Sequence, residues 1–483
     1  MKKYIAAIDL GTTKVVAIVG EKLPSGKIHV LAHCEMPSKG VVRGEVLKID
    51  EVVSIAKSAV EEVKSATGLD FSDVYVGVAG QHIRCIESRF DIPRDDYYET
   101  ISAAEIRKLK DNMYHIRVNP DEEVLHVIPQ SYNVDDWLGL IEPVGMLGRR
   151  LEANFKVFVG RMSSAERTRL AVERMGLQLN RIVLEPIASA RAVLHDDEQE
   201  MGVALVDIGG GTTDLIVYYD KIVRHTAVIP FGGNVITDDI REGCAILPRQ
   251  AEQLKVQYGS CYSDLVGDDK IIVIPNRYGD PHEVSLKMLA QIIEARMEEI
   301  MEAVVFEIER SGYADRLSAG IVITGGGANI GYLPEYIKYK TGLNVRRGKP
   351  LYVSSDSSED VVRCSYATAV GLLMKGFDYE EEKEREAQNK IQEIVPEPEP
   401  VLVEVNTPAN GLFANIFGAI NGRNREQKQP QQENIEPTKS ENPVSAIPKS
   451  IKPPKPPKPP KVDKPKKQSM QELTLFGKLD NEV

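Results

Sequence analysis

The sequence predicts an α/β protein with several domains, and three observations support this prediction. Segments rich in valine and isoleucine alternate with amphipathic segments over residues 1–376, which is typical of α/β domains. A strand, an Asp-x-Gly turn and a second strand occur together twice, near the start and near the middle of the chain. With 483 residues, the chain also has room for several domains with sizeable cores.

The predicted elements follow from composition and apolar spacing. Segments with the composition of buried strands are YIAAIDL, KVVAIVG, DVYVGVAG, GVALVDIG, DLIVYYD and SAGIVITG. Amphipathic helices are predicted over residues 50–66, 163–175, 186–195 and 285–310. The last of these helices carries an apolar stripe along its whole length, so we expect it to pack against a sheet.

Composition excludes several classes of protein. The five cysteines are scattered singly, which predicts neither a disulfide framework nor a zinc module and favours a reducing compartment. The net charge of −12 argues against general nucleic-acid binding. No stretch approaches the ~20 apolar residues that span a bilayer, and the N-terminus lacks the pattern of a signal peptide. We therefore expect a cytosolic protein whose membrane contact would be peripheral.

The repeated turn carries the residue types that bind phosphate. Its copies are DLGTTK at residues 9–14 and DIGGGTTD at residues 207–214. Glycine lets the backbone approach a ligand, and the N–H groups of a tight turn form a concave anion site. Two such turns facing each other would hold a polyphosphate. Asp9 and Asp207, each at the end of a strand, would point at the same phosphates, with a hydrated Mg²⁺ between them.

A third glycine cluster, Gly325 to Gly327, follows another predicted strand. Small residues at this point would let a flat base lie against the backbone. The Rossmann fingerprint is not met, because Ile330 stands where its third glycine should be, and no P-loop motif occurs. The chain is thus predicted to bind a nucleotide without either of these two common nucleotide folds.

These three turns, together with EPIASARAVL at residues 185–194, resemble the actin, Hsp70 and sugar-kinase superfamily in their order. Residues 1–376 look most like the FtsA family of bacterial cell division proteins. The stretches that carry this resemblance are IDLGTTKVVAIVGE, GVALVDIGGGTTDLIVY, VIPFGGNVITDDI and AEQLKVQYG. The resemblance implies an actin-like (ribonuclease H-like), two-lobed ATPase fold with an FtsA-type inserted subdomain and a disordered C-terminal tail.

The resemblance also implies a division of the chain into subdomains. The expected boundaries are 1–82 and 163–200 for subdomain 1A, 83–162 for the inserted subdomain 1C, 201–231 and 307–376 for subdomain 2A with the return to 1A, 232–306 for subdomain 2B, 377–410 for an acidic linker, 411–422 for an amphipathic membrane helix, and 423–483 for a Pro/Lys-rich disordered tail. Subdomain 1C would contact neighbouring subunits.

Site residues are carried over from the family motif position by position. The first phosphate loop would comprise Gly11, Thr12, Thr13 and Lys14, and the second Gly209, Gly210, Gly211, Thr212 and Thr213. Asp9 and Asp207 would hold Mg²⁺ through water. The residues expected around the nucleoside are Gly232 and Gly233 near the ribose and phosphates, Glu252 and Lys255 bracketing the ribose and adenine, and Gly325, Gly326 and Gly327 behind the base.

Some of these assignments have structural alternatives. Glu185 is the candidate for orienting an attacking water, but it is equally well placed to cap a helix whose first residue is Pro186. Glu252 and Lys255 could simply form an exposed ion pair, three residues apart on a helix. Because two aspartates predict a metal site and not a fast hydrolase, we expect ATP binding with at most slow ATPase activity.

The chain after residue 376 is predicted to be a tail. It contains 15 of the 28 prolines, and residues 377–410 carry 10 acidic and 3 basic side chains. Proline at this density favours solvated polyproline II, so the KPP-rich tract is expected to be an extended spacer.

Within this tail, residues 411–422 have the pattern of a membrane-binding helix. The apolar side chains on one face, within about 140° at 100° per residue, are Leu412, Phe413, Ile416, Phe417 and Ile420. Basic residues at 423–428 would contact anionic head groups. The segment could instead dock on the folded part or on a partner. Residues 470–479 (MQELTLFGKL) are a second candidate, as a partner-binding motif or a lesser membrane contact.

The function implied by the resemblance is in cell division. Such a protein would bind ATP and Mg²⁺, self-associate, and receive the C-terminal peptide of the tubulin-like protein FtsZ on subdomain 2B. It would tether FtsZ filaments to the cytoplasmic side of the plasma (inner) membrane at the septum, help assemble the Z ring and recruit later division proteins. The closest alternative is a pilus-assembly relative with a different partner. A small-molecule kinase would need a general-base motif, and a chaperone a β-rich domain after residue 376; the sequence shows neither.

Overall fold

A computed structural model describes residues 4–94, 98–267, 270–275, 281–394 and 473–474. The chain divides into two units, of which the first comprises residues 1–390 and 470–483. Of the second unit, Ile391–Ser469, only residues 391–394 are described, at the end of a helix. Within the described ranges we find no helix that combines the length and the apolar composition required to cross a bilayer.

Groups of strands alternate with helices along the described chain. The strands are β1 (Ile5–Leu10), β2 (Lys14–Lys22), β3 (Ile28–Pro37), β4 (Val41–Val42), β5 (Glu45–Val46), β6 (Asp73–Val78), β7 (Arg84–Pro93), β8 (Glu122–Val134), β9 (Trp137–Leu140), β10 (Arg150–Arg161), β11 (Gln178–Leu184), β12 (Val203–Ile208), β13 (Thr213–Tyr219), β14 (Ile222–Ile229), β15 (Ile271–Ile274), β16 (His282–Ser285), β17 (Gly320–Thr324), β18 (Val345–Arg347) and β19 (Leu473–Thr474). The helices are α1 (Ile49–Thr67), α2 (Ala103–Met113), α3 (Met162–Arg174), α4 (Glu185–Val193), α5 (Asp196–Met201), α6 (Gly233–Cys244), α7 (Pro248–Tyr258), α8 (Leu286–Arg310), α9 (Leu333–Thr341) and α10 (Ala367–Ile394).

Two five-stranded sheets repeat one topology. The first has the order β11-β6-β1-β2-β3 and the second the order β18-β17-β12-β13-β14. In each sheet the leading strand, β1 or β12, pairs antiparallel with the next strand and parallel with the strand on its other side. The repeated turn seen in the sequence is therefore the first hairpin of a repeated sheet.

The central strands are apolar without interruption because both faces of each sheet are covered. In β1, Ile5 and Ala7 belong to a buried cluster that also contains α4 and α10, whereas Ala6 and Ile8 pack with α1. Leu205 of β12 joins the same cluster as α4 and α10, so these two helices lie between the sheets. The outer face of the second sheet is covered by α8, whose apolar stripe is buried as predicted.

An antiparallel sheet with the order β7-β10-β8-β9 forms a separate layer between residues 84 and 161. It has its own buried cluster, in which Leu109 and Met113 of α2 pack with Val127 and Phe155. Helix α2 begins with a capping box, in which Ser102 Oγ accepts from Glu105 N–H at 3.3 Å and Glu105 accepts from Ser102 N–H at 2.8 Å.

The tail does not start at residue 377 as expected, because this residue lies within α10. The helix runs through this point to Ile394, and Phe377 and Tyr379 are buried in the cluster between the sheets. The acidic residues that suggested a solvated linker form specific contacts: Asp378 pairs with Arg191 at 3.0 Å, and Glu380 accepts from the hydroxyl of Tyr75 at 2.8 Å. Composition predicted that the folded part ends at residue 376. Because the two aromatic rings are buried, it extends further toward the C-terminus.

Three further features differ from the sequence expectations: a subdomain boundary, the start of α4 and the segment 470–479. The expected boundary at 306/307 falls inside α8, and α4 begins at Glu185, so this residue is part of the helix and does not precede it. The two described residues of the segment 470–479 form β19, which pairs in parallel with β15. The expected membrane helix at 411–422 and the Pro/Lys-rich tract lie outside the described residues.

Candidate functional site

A cleft of about 430 Å³ brings together most of the residues singled out in the sequence. The site residues predicted from the sequence that line this cleft are Asp9, Gly11, Thr12, Thr13, Lys14, Glu185, Asp207, Gly209, Gly210, Gly211, Thr212, Gly233, Glu252, Lys255, Gly325, Gly326 and Gly327. Both glycine hairpins, the third glycine turn, the start of α4 and one face of α7 therefore contribute to one site.

The two hairpin tips meet across this cleft. A Cβ atom placed on Gly210 would lie 2.0 Å from Thr13 Oγ1, and one placed on Gly211 would lie 2.5 Å from Thr12 Oγ1. Only glycine can therefore stand at these positions without displacing the opposite hairpin. The turns face each other as the sequence predicted.

Helix α6 begins against the second hairpin. The N–H of Gly233 donates to the carbonyl of Gly209 at 2.9 Å, and the N–H of Asn234 donates to the carbonyl of Gly210 at 2.8 Å. These contacts attach the start of α6 to the turn and set Gly233 at the cleft wall.

Thr213 and Gly232 are predicted site residues that are not part of the cleft lining. Thr213 is fully buried in β13, and its hydroxyl donates to the carbonyl of Phe231 at 2.8 Å. Gly232 packs on the turn, because a Cβ on it would lie 2.7 Å from the carbonyl oxygen of Gly209. Both residues hold the second hairpin against the start of α6.

The third glycine turn approaches Asp207 closely. Gly325 has φ +83°, and a Cβ on it would lie 2.3 Å from Asp207 Oδ1. A side chain would be both strained and obstructed at this position. A Cβ on Gly326, in contrast, would have no atom of the described residues, apart from its chain neighbours, within 4 Å, which leaves room for a flat ligand along this turn.

Asp9 and Asp207 are both buried at the ends of their strands. Burial raises the pKa of Asp9 to about 6; Lys14 opposes this shift, and Asp207 and Glu35 add to it. Burial also raises the pKa of Asp207, and hydrogen bonds from Ser189 and Thr368 oppose that shift. The charge of each carboxylate is thus disfavoured mainly by the loss of solvent.

Asp214 is a site residue that the sequence reasoning did not select. It pairs with Asp207 in the register of β12 and β13, lines the cleft and is buried. Its Oδ1 has no hydrogen-bond partner in the described structure. Burial, then Asp207 and Asp9, hold the pKa of Asp214 well above its ordinary value. The available signal was its position, opposite Asp207 across a two-stranded hairpin.

Glu185 completes a group of four carboxylates. It is the first residue of α4, and the pKa of its carboxyl is raised well above the ordinary value by burial, then by Asp9, Asp214 and Asp207. The cap position of α4 is occupied by Leu184, and no side chain caps this helix end. Its place beside the three aspartates favours a site role for Glu185 over the capping alternative.

Lys14 lines the same cleft as the carboxylate group, and its charge opposes the raised pKa of Asp9 and Asp207. Its Nζ pairs with Glu35 at 2.7 Å and lies 4.1 Å from the centre of the Tyr366 ring. Glu35, which the sequence analysis did not select, also lines the cleft. Burial acts to raise the pKa of Glu35, but the hydrogen bond and charge of Lys14, together with Tyr366 and His33, outweigh it, so the pKa of Glu35 is lowered.

Glu252 and Lys255 do form the ion pair that was considered for them, at 2.7 Å on α7. The pair is not simply exposed, because the Lys255 side chain retains only 11% of its accessible surface. Lys255 Nζ also donates to the carbonyl of Gly233 at 2.9 Å and to the hydroxyl of Thr237 at 2.7 Å. Lys255 therefore links α7 to the start of α6 at the cleft wall.

The carboxylate group has the chemistry of a site for a divalent cation. Four acidic side chains share one cleft, three of them raise the pKa of a neighbour, and Asp214 Oδ1 is buried without a partner. A cation, directly or through water, would compensate this concentration of negative charge. Among the described residues, no three His, Cys, Asp or Glu groups are arranged to coordinate a metal directly.

Comparison with known proteins identifies two matching family models. Residues 204–371 match the model described as "Cell division protein FtsA", and residues 80–159 match "SHS2 domain inserted in FTSA". The second match covers the antiparallel sheet β7-β10-β8-β9 with α2.

Curated relatives match over most of the chain. The cell division protein FtsA of Pseudomonas aeruginosa is 38% identical over 378 residues, which cover 78% of this chain and 89% of the relative. The FtsA protein of Escherichia coli strain K12 is 34% identical over 400 residues, which cover 81% and 94%.

Among solved structures, a chain of a PilM-PilN type IV pilus biogenesis complex aligns with a TM-score of 0.55. The alignment covers 77% of this chain and 98% of that chain at 14% identity, which shows the fold alone. The predicted actin-like, two-lobed α/β fold is confirmed, with the four-stranded sheet as its inserted subdomain.

Proposed function

This chain belongs to the FtsA family of cell division proteins, as its sequence predicted, and on this basis we propose that it binds ATP and tethers FtsZ filaments to the cytoplasmic face of the plasma membrane. In this role it self-associates, helps assemble the Z ring at the septum and recruits later division proteins. The observation that supports the nucleotide-dependent part of the proposal is that two facing glycine hairpins and a group of four carboxylates line one cleft.

ATP would lie in the cleft between the two sheets. Backbone N–H groups and hydroxyls of residues 11–13 and 210–212 would bind the phosphates, since both turns line one cleft. The N–H of Gly209 instead closes its own turn by donating to the carbonyl of Thr212 at 2.9 Å. Lys14 would contribute a positive charge at the phosphate end. Glu252 and Lys255 on α7 would flank the ribose and adenine, and the open space at Gly326 would accept the base.

Mg²⁺ would be held by Asp9 and Asp207 through water, with Asp214 as a third carboxylate nearby. When bound, the ion neutralises phosphate charge and the charge of these carboxylates. Glu185 would orient a water molecule from the start of α4. The raised pKa of Glu185 follows from burial and from neighbouring carboxylates, so a bound cation would favour its ionised form and with it any slow ATP hydrolysis.

The tail would supply the membrane contact. Residues 411–420, outside the described part of the chain, combine five large apolar residues on one helical face with a basic segment that follows. Burial of these side chains at about 1.5–3 kcal/mol each roughly offsets the folding of so short a helix, so a single anchor binds weakly. Self-association would then strengthen binding through many anchors acting together. FtsZ would bind through its C-terminal peptide to residues 232–306.

A pilus-assembly role is the nearest alternative, because the same fold occurs in a pilus biogenesis complex. Identity of 14% to that chain supports no transfer of function, whereas the division proteins are 34–38% identical over most of their length. The comparison therefore favours the cell division role.

Liposome flotation with FtsZ, ATP and Mg²⁺ tests the tether. We expect FtsZ to float with the full-length protein, and to stay in the dense fraction with a chain cut after Val405 or with the variant Phe413→Glu/Phe417→Glu. A chain cut after Ser469, which lacks residues 470–483, should still float FtsZ. If this shorter cut abolishes flotation and the double variant does not, the anchor is the terminal segment.

If the full-length protein floats but FtsZ stays in the dense fraction, FtsZ is not the partner. If neither protein floats, the tail is not an anchor and the tether proposal fails.

Binding of a fluorescent ATP analogue tests the nucleotide site. Lys255→Met should weaken binding about tenfold or more, because Lys255 is partly desolvated at the cleft wall. Lys221→Met is the matched control, since Lys221 is an exposed lysine paired with Glu200 away from the cleft. Equal affinity in the two variants would contradict the assignment of Lys255.

A further inference from the structure

One oxygen of Asp207 is held by two hydroxyl groups. Ser189 Oγ donates to Asp207 Oδ2 at 2.6 Å, and Thr368 Oγ1 donates to the same oxygen at 3.2 Å. Ser189 is fully buried, and Thr368 lines the cleft. Neither residue was selected from the sequence, because a single serine and a single threonine carry no motif of their own.

The two hydroxyl oxygens also lie 3.0 Å apart. Each hydroxyl has one proton, and either oxygen can be the donor in the contact between Ser189 and Thr368, so at least one of the two hydroxyls donates to Asp207 in every arrangement. The donors therefore act as a pair, with Ser189 in the closer position.

The other oxygen of Asp207 is confined by backbone. A Cβ on Gly325 would lie 2.3 Å from Asp207 Oδ1, so the third glycine turn passes directly beside this atom. The carboxylate lies between the hydroxyls on one side and Gly325 on the other. Rotation of its plane would break the hydrogen bonds or bring Oδ2 against the glycine turn.

Asp207 differs in this respect from its acidic neighbours. Within the described residues, neither Asp9 nor Asp214 accepts a hydrogen bond from a side chain, and Asp214 Oδ1 has no partner of any kind. Asp207 is thus held by side-chain hydrogen bonds that Asp9 and Asp214 lack.

The donors come from the two helices between the sheets. Ser189 lies on α4 and Thr368 on α10, and these helices approach so closely that a Cβ on Gly371 would lie 1.9 Å from the carbonyl oxygen of Ala188. This backbone contact, one residue before Ser189 and three after Thr368, brings both short side chains within reach of Asp207. The arrangement depends on the crossing of α4 and α10, not on either helix alone.

We propose that Ser189, supported by Thr368, is a positioning residue that fixes Asp207 in the orientation required for holding the cation of a bound nucleotide. The proposal rests on the proposed function, since it concerns the Mg²⁺ site described there. Residues that hydrogen-bond metal-binding carboxylates set the orientation of those groups, and their removal costs about 10–100-fold in metal affinity.

Affinity for a fluorescent ATP analogue, measured on the full chain with Mg²⁺ and with EDTA, tests this role. In the wild type, Mg²⁺ should strengthen binding. Ser189→Ala should raise the Mg²⁺ concentration required for tight binding of the analogue by about 10–100-fold. Its affinity for the analogue in EDTA should be unchanged. Thr368→Val should have a smaller effect in the same direction, and Thr368→Ser, which keeps the hydroxyl, should behave as the wild type.

Two results would overturn the inference while leaving the nucleotide site intact. One is an unchanged Mg²⁺ requirement in Ser189→Ala. The other is an equal loss of affinity with Mg²⁺ and with EDTA, which would show that the hydroxyl only maintains the fold. Failure of the wild type itself to bind ATP more tightly with Mg²⁺ would instead remove the proposed nucleotide function, and the inference with it. Thermal unfolding of each variant identifies any that do not fold.

Discussion

At the scale of single residues, the site is defined by buried negative charge. Asp9, Glu185, Asp207 and Asp214 all have raised pKa values, with burial as the first cause in each case. Such a group stabilises a ligand cation at the cost of the ligand-free fold, because charges buried without a partner oppose folding. The cleft therefore favours binding over stability of the free protein.

Asp214→Asn tests this relation. The folded pKa of Asp214 is raised well above 3.8, so its contribution to stability is lost as the pH rises above this ordinary value. Without nucleotide or metal, the variant should be more stable than the wild type by about 1–3 kcal/mol at pH 7.5, and the difference should shrink toward pH 4. Urea unfolding in EDTA at several pH values measures it.

Asp111→Asn is the control for this series, since Asp111 is an exposed aspartate on α2. If the wild type is more stable than Asp214→Asn at neutral pH, the carboxylate group does not destabilise the ligand-free protein.

At the scale of elements, α10 joins the cleft to the buried cluster between the two sheets. Its first turn carries Thr368 at Asp207, and its middle carries Phe377 and Tyr379 in the cluster between the sheets. The Tyr379 ring stacks with that of Tyr75 at a centroid distance of 6.1 Å. The helix is therefore part of the folded lobe well beyond the point at which sequence composition changes.

Two truncations test where the folded part ends. A chain ending at Gly376 loses Phe377 and Tyr379, whose burial contributes about 1.5–3 kcal/mol each, together with the Arg191–Asp378 ion pair. We expect this chain to unfold at a lower urea concentration than one ending at Lys390, which keeps these groups. Equal midpoints for the two chains would mean that the helix after residue 376 adds nothing to stability.

At the scale of the whole molecule, the inserted subdomain is attached next to the first glycine hairpin. Gly44 N–H donates to Thr12 Oγ1 at 3.0 Å, and the adjacent Glu45 is buried. Glu45 pairs with His82, where the chain enters the insert, and with Arg167 on α3, just after the chain leaves it, the latter at 3.1 Å. One carboxylate thus joins both connections of the insert beside the first hairpin.

Glu45→Gln should loosen this attachment. The variant keeps the shape of the side chain but removes the charge that Arg167 and His82 contact, at a cost of about 1–3 kcal/mol. Hydrogen exchange should become faster at the ends of β7 and β10, whereas the core of the first sheet should be unaffected. Glu87→Gln is the matched control, because Glu87 is an exposed partner of Lys156 on the insert. Equal exchange in both variants would contradict the role of Glu45.

The order of amino acids was sufficient to predict the α/β class, the six central strands, the four helices and the turns that line the cleft. It was sufficient because strands buried on both faces require continuous apolar runs, and turns that approach a ligand require glycine. These signals are local. The repeated DxG motif identified the two hairpins, and the glycines at 325–327 the third turn, without any knowledge of their contacts.

Which residues act together depends instead on the folded arrangement. Asp214 meets Asp207 through strand register. Ser189 and Thr368, which are 179 residues apart in the chain, meet Asp207 through the crossing of α4 and α10. Thr213, conversely, lies in the motif but turns into the protein to bond Phe231. The extent of α10 likewise depends on the burial of two aromatic rings. Composition could not predict it, because side-chain packing depends on contacts with residues that are distant in the sequence.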